Sequence, residues 1–350
     1  MKWKKFNLGL VIAPFLIFTL GFVTLYSVSL EHAKNQLFFF ILGSGIYVLI
    51  SVIDYKFLAS LWKYFYGVNL FLLALVFIIG RTTFGSVRWL TIFGFSIQPS
   101  EFAKFVEVLA LGALISERPQ WISNLKGILR LIAPFVPFFI MVVIQPDLGT
   151  TLILAAVLIG VLLYLGLNKL WFLGAVFFFG LISSPLWSLL KDYQKQRILV
   201  FLNPQLDNLG AGYNVVQSLI AVGSGGLLGK GFGYGTQSHL EFLPAYWTDF
   251  ILASFAEEWG FVGFAVFLLI FIALLIFVLK TANKASDFLG TALVIGVFVA
   301  LFSQFFINVG MNLGLMPVTG IPLPFMTYGG SALVTNLAML GLVQSVWIHK

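Results

Sequence analysis

Apolar runs of about twenty residues, each ended by a few polar or helix-breaking positions, recur along the whole chain. They fall at 9–30, 35–53, 57–80, 100–117, 127–144, 148–166, 169–190, 249–279, 287–315 and 329–348, which predicts ten membrane-spanning helices. The two runs flanking Gln145, Pro146 and Asp147 would merge into roughly forty residues, too long for one span. Pro146 supplies the break between them. The pattern therefore predicts an all-α integral membrane protein, one polytopic domain over residues 1–350. A single long stretch, 191–248, separates the seventh span from the eighth.

Composition agrees. The chain is 60% hydrophobic and 9% charged, where a soluble domain carries about a quarter charged residues. Its basic start is followed by an apolar run too long for a cleaved signal peptide, so an uncleaved first helix is expected. The excess of Lys and Arg then reports topology. With the N-terminus inside, the inner segments carry Lys2, Lys4, Lys5, Lys56, Arg118, Lys126, Arg130, Lys169, Lys280, Lys284 and Lys350. The short outer loops carry only Lys34, Arg81 and Arg88. Both termini are expected in the cytoplasm and the 191–248 stretch outside. The absence of cysteine excludes disulfides and thiolate chemistry, and the three histidines have no zinc-ligand spacing.

This topology sorts the candidate chemistry. Arg88, Glu101, Lys104, Asp147, Arg197, Lys230 and Asp249 all fall at or near the outer face, while the cytoplasmic loops are short and carry nothing like a site. Glu101 and Lys104 are three apart on one helix face, either a structural ion pair or a charge pair for a polar substrate. Arg88 and Trp89 read as an interfacial anchor or as substrate contacts. Asp147 stands where a helix N-cap is needed.

Seven of the fourteen residues from Val222 to Gly235 are glycine. Ser224 and Gly231 break the Walker pattern and no dinucleotide spacing is present, so nucleotide binding is excluded. Val215, Val216, Leu219, Ile220, Leu227 and Leu228 are too apolar for a solvated linker, which predicts a packed or re-entrant loop. In "AYWTDFILASFAEEWG", Asp249 stands at the mouth of the eighth span, as a cap or as a desolvated general base. Glu257 and Glu258 point elsewhere around that helix and are expected to satisfy buried polar partners.

The segments RW, QPSEFAK, QPDLGT, GYNVVQSLIAVGSGGLLGKG, GTQS, TDFI, EEWGFVG and GIPLPFMTYGGS occur in that order across nearly the whole chain. Together they resemble the SEDS family (shape, elongation, division and sporulation), peptidoglycan glycosyltransferases with ten membrane helices. They are more similar to the elongation branch, RodA, than to the division branch, FtsW. The resemblance implies polymerisation of lipid II through β-1,4 bonds outside the cytoplasmic membrane, during cell elongation. It places the catalytic aspartate on Asp249, with supporting substrate-binding positions on Arg88, Trp89, Glu101, Lys104 and Arg197. It also implies a class B penicillin-binding protein, a transpeptidase, as partner. The chain departs from the family pattern at Ala245, Tyr246 and Trp247 before its TDF, and at Thr327 and Ala332.

The chemistry is compatible with one carboxylate. A sugar leaving as an alkoxide must be protonated, which takes a second carboxyl group. A pyrophosphate leaves as a stable anion and needs positive charge instead, for which Arg88, Lys104 and Arg197 are candidates. No cofactor is required by any motif; a divalent cation, Mg or Mn, beside Asp249 is left open, since no ligand cluster in the sequence proves one. The alternative is a lipid II flippase with Asp249 as a proton-coupled carboxylate.

Overall fold

The computed structural model describes residues 6–83, 86–92, 95–168, 170–174, 192–204, 207 and 210–350. Its helices are α1 (Gly9–Val28), α2 (Leu30–Val52), α3 (Tyr55–Ser60), α4 (Trp62–Ile79), α5 (Pro99–Glu117), α6 (Leu125–Ile132), α7 (Val136–Ile144) and α8 (Leu148–Tyr164). They continue as α9 (Asp192–Leu202), α10 (Ala211–Ser224), α11 (Thr236–His239), α12 (Ile251–Ala282), α13 (Phe288–Asn312) and α14 (Gly330–His349). Among the described residues, nine of the ten expected spans coincide with helices, α6 and α7 forming one span together. The expected span at 169–190 lies mostly outside the described residues.

One departure from an all-helical reading is a small antiparallel sheet, β1 (Arg81–Thr83), β2 (Ser86–Ile92) and β3 (Phe95–Ile97), in that order. It fills the connection between α4 and α5 and aligns Leu90 with Ile97.

Helix α14 is the centre of the bundle, with 94% of its span buried, against 39% for α1 and 22% for α4. The outer helices keep large apolar residues exposed, among them Ile41, Ile78 and Leu269, as expected where lipid replaces water. The end of the bundle that carries the chain's own ends is recognisable by its contacts. Gly9 abuts Phe277, Ser345 bonds the Ile53 carbonyl, Lys56 pairs with Asp287 and Lys284 lies over Trp347.

Helix α12 is 32 residues long and is broken at Gly260, where φ is 65° and ψ is −165°. Only glycine adopts such a backbone without strain. Carbonyls and amides freed near this break would be costly in lipid, and the glycine-rich loop satisfies them. Lys230 and Gly231 donate their main-chain N–H groups to the Glu257 and Glu258 carbonyls, each at 3.0 Å. Phe261 and Val262 donate theirs to Gly226 (2.9 Å) and Leu227 (3.0 Å). The main chain of the stretch after α10 is therefore bonded to α12, while the apolar side chains expected to pack there, Leu227 and Leu228, stay exposed.

Both glutamates of the EEWG motif are consumed by this packing. Glu257 accepts from Lys230 Nζ at 2.6 Å, Thr236 Oγ1 at 3.1 Å and the Gln237 N–H at 3.1 Å. Glu258 meets Ser27, His239 and the Gly233 N–H.

Candidate active site

At the end of the bundle opposite Gly9 and His349, the connections between helices enclose a cavity of about 740 Å³. That is within the 300–1,000 Å³ usual for small-molecule sites. Arg88 and Trp89 reach it from β2, Pro146 from the α7–α8 junction and Arg197 from α9. Asp249 comes from the turn before α12, and Gly320 and Tyr328 from the connection between α13 and α14.

Asp249 is largely buried and lines the cavity. Burial pushes its carboxyl up to about 6, opposed first by the Arg197 charge and then by Arg88. The first turn of α12 has Phe250 at its N-cap and no side-chain cap hydrogen bond. Capping by Thr248 or Asp249, the ordinary reason for a carboxylate here, is thereby removed as an explanation. Gly320 faces the carboxylate, with φ +72°.

Arg88 is held by the Gln145–Asp147 turn. Its Nε donates to the Gln145 carbonyl at 3.0 Å, another guanidinium nitrogen donates to the Pro146 carbonyl, and Asp147 Oδ1 lies 3.8 Å away. Asp147 itself caps α8, accepting from the Thr150 N–H at 3.1 Å and Thr150 Oγ1 at 2.9 Å. It also accepts from Gln98 Nε2 and Ser100 Oγ, each at 2.9 Å. A carboxylate with that many donors is a fixed post, and Arg88 is oriented against it.

Of the residues expected from sequence, the structure brings Asp249, Arg88, Trp89 and Arg197 to one cavity. Glu101 and Lys104 are elsewhere. They form a pair of 2.6 Å inside the bundle, with Lys104 fully buried and bonded to Gln304 Oε1 at 3.2 Å, and neither lines the cavity. Sequence reasoning missed Thr319, whose buried hydroxyl borders the cavity without a hydrogen-bond partner. It also missed Asn308 and Asn312, which bond the Asp249 main chain. Their one signal was a pair of amides four apart in an apolar helix.

Among the described residues no three His, Cys, Asp or Glu side chains converge, and the cations facing Asp249 are guanidinium groups. Hard divalent ions take several oxygen ligands.

Comparison with known proteins identifies the family. The family model of FtsW, RodA and SpoVE, described as a cell cycle protein, matches residues 7–350. The peptidoglycan glycosyltransferase MrdB of Escherichia coli (strain K12) is 39% identical over 312 residues, covering 88% of this chain and 84% of MrdB. Stage V sporulation protein E of Bacillus subtilis (strain 168) is 35% identical over 356 residues, covering 97% and 96%. Among solved structures, a chain of a peptidoglycan synthase complex superposes with TM-score 0.85 at 30% identity, covering 99% of this chain and 98% of that one. The rod-shape-determining protein RodA of Thermus thermophilus gives a TM-score of 0.73 at 29% identity, covering 99% and 98%. Matched from residue 7 to its last residue and alike in fold throughout, this chain belongs to the FtsW/RodA/SpoVE (SEDS) family, as a multi-pass protein of the cytoplasmic membrane.

Proposed function

We propose that this chain is a peptidoglycan glycosyltransferase that polymerises lipid II into β-1,4 glycan strands at the outer face of the cytoplasmic membrane, with Asp249 as general base. The observation that carries the reading is the Asp249 carboxyl, raised to about 6, with the Arg197 and Arg88 charges acting on it in a cavity of ligand size. The name of the Escherichia coli relative, a peptidoglycan glycosyltransferase, supports the reaction class.

The step balances on these groups alone. Asp249 takes the proton of the acceptor GlcNAc 4-hydroxyl as its oxygen attacks C1 of the donor MurNAc. The bond from C1 to the lipid pyrophosphate breaks on the opposite side, with inversion, and the electron pair leaves with the pyrophosphate. Arg197 and Arg88 stabilise that developing charge. Trp89 and Tyr328 offer aromatic surface at the rim. A base near pH 6 is ionised at neutral pH yet still basic enough to share the proton in the transition state.

The partner is proposed to be a class B penicillin-binding protein. Support comes from the solved peptidoglycan synthase complex, which coordinates polymerization with crosslinking. A role in elongation is supported by the likeness to the rod-shape-determining protein of Thermus thermophilus. The test is incubation of labelled lipid II with the reconstituted chain and its partner transpeptidase. Glycan ladders on a gel support a polymerase; transfer of intact lipid II across the liposome without ladders supports the flippase.

A further inference from the structure

Helix α13 carries Gln304, Asn308 and Asn312 at intervals of four, so the three share one face, and all are fully buried. Three buried amides in a membrane-spanning helix need partners, and those of Asn308 and Asn312 converge on the stretch around Asp249. Asn312 Nδ2 donates to the Asp249 main-chain carbonyl at 3.0 Å and to the Asn308 carbonyl at 2.9 Å. Asn312 Oδ1 accepts from the Ala253 N–H at 3.2 Å, in the first turn of α12. Asn308 Nδ2 donates to the Ile321 carbonyl at 2.8 Å and to the Asp249 carbonyl at 3.3 Å. Two amides thereby tie the Asp249 main chain both to α12 and to the segment that sets Gly320 against its carboxylate.

One turn back, Gln304 Oε1 accepts from Lys104 Nζ at 3.2 Å, and Gln304 Nε2 donates to Asn336 Oδ1 at 3.3 Å. Lys104 in turn holds Glu101. None of Glu101, Lys104, Gln304, Asn308 and Asn312 lines the cavity.

We propose that the Gln304–Asn308–Asn312 face of α13 is the positioning device for Asp249, and that Glu101 and Lys104 act through it and not on the substrate. The inference rests on Asp249 being the base proposed above. Physically, Asp249 belongs to the irregular turn before α12, so regular helix bonds do not fix its direction. Two donors on its carbonyl do so instead. Chemistry that depends on a near-attack geometry is sensitive to shifts of about 1 Å. Glu101 and Lys104 cost desolvation to bury, and one use that a buried ion pair can serve is to specify a single register between helices, here α5 against α13.

The test uses full-length protein in liposomes and two readouts. The first is the titration of the Asp249 carboxyl by infrared difference spectroscopy with ¹³C-labelled aspartate, its band identified by subtraction of Asp249→Asn. The second is kcat and KM for lipid II polymerisation. Asn312→Leu keeps the side chain's size and removes every amide bond. It is expected to move the titration midpoint by about half a pH unit or more and to lower kcat by roughly 10–100-fold, with KM within about threefold of wild type. Asn308→Leu, which leaves the 3.0 Å bond in place, is expected to shift both in the same direction by less; it decides the matter if Asn312→Leu does not fold.

The neutral pair E101Q/K104Q is expected to lower kcat with KM unchanged. An Asp249 titration identical to wild type in the folded asparagine variants overturns the positioning role. A raised KM with intact kcat in E101Q/K104Q overturns the indirect role and puts that pair on the substrate. Polymerisation retained by Asp249→Asn would instead remove the base assignment, while the infrared titration still decides whether α13 positions this carboxylate.

Discussion

A Cβ placed on Gly320 would stand 3.6 Å from Asp249 Oδ2, and Gly320 holds φ +72° to make that approach. The contact distance itself is ordinary; the strain lies in the backbone, where a non-glycine residue costs about 1–2 kcal/mol. Gly320→Ala is therefore expected to displace the turn under the base and to lower polymerisation about tenfold, with expression close to wild type. Kinetics of the purified variant checks it. Wild-type turnover would show that the turn does not set the carboxylate.

The acid limb of the pH profile reports the base. A carboxyl raised to about 6 is ionised, and active, above that value and neutral below it. Turnover is expected to rise with pH and reach half its plateau near 6. Arg197 is the larger of the two charges that pull this value down. Arg197→Gln is thus expected to move the limb to higher pH, and Arg88→Gln to move it less. A limb near 4, the ordinary value for aspartate, would contradict the burial of this carboxylate. The sign for stability is opposite: with the folded carboxyl raised, the ionised form is penalised, so stability falls as pH rises from about 4 through 6.

Arg88→Lys tests orientation against charge. The guanidinium reaches the Gln145 and Pro146 carbonyls and faces Asp147 at once, which one ammonium cannot reproduce. Activity is expected to fall at least about tenfold while the unfolding temperature stays within a few degrees. An active lysine variant would reduce Arg88 to a point charge.

Glu257→Ala tests the scaffold behind the site. It removes the acceptor for Lys230, Thr236 and the Gln237 N–H, with Glu257 wholly buried. Lys230 is 27% exposed and keeps Thr236 as a partner, so the cost is that of the lost acceptor, about 1–3 kcal/mol, and the thermal unfolding midpoint, followed by tryptophan fluorescence, is expected to drop by a few degrees. An unchanged midpoint would mean that the glycine-rich loop is held by its main-chain bonds alone.

The span pattern was legible because lipid imposes long apolar runs; Trp62–Ile79 and Phe288–Asn312 could hardly be anything else. Arg88, Arg197 and Asp249 were legible as a group because topology puts them at one face. The sheet of β1, β2 and β3 was not, since two of its three strands have only three residues, too few to show alternation. Glu101 and Lys104 show how far spacing reaches. Three residues of separation gives a shared face, but whether that face meets a cavity or a neighbouring helix depends on packing, and here it meets α13. Asn308 and Asn312 fell inside the expected span at 287–315, but which neighbour their amides meet depends on packing.

The most direct measurement is polymerisation of labelled lipid II by wild type and Asp249→Asn, side by side, with the partner transpeptidase present. Asn keeps the shape of Asp and removes the base. Ladders from wild type and none from an equally folded mutant are expected; ladders of normal length and rate from Asp249→Asn would contradict Asp249 as the base.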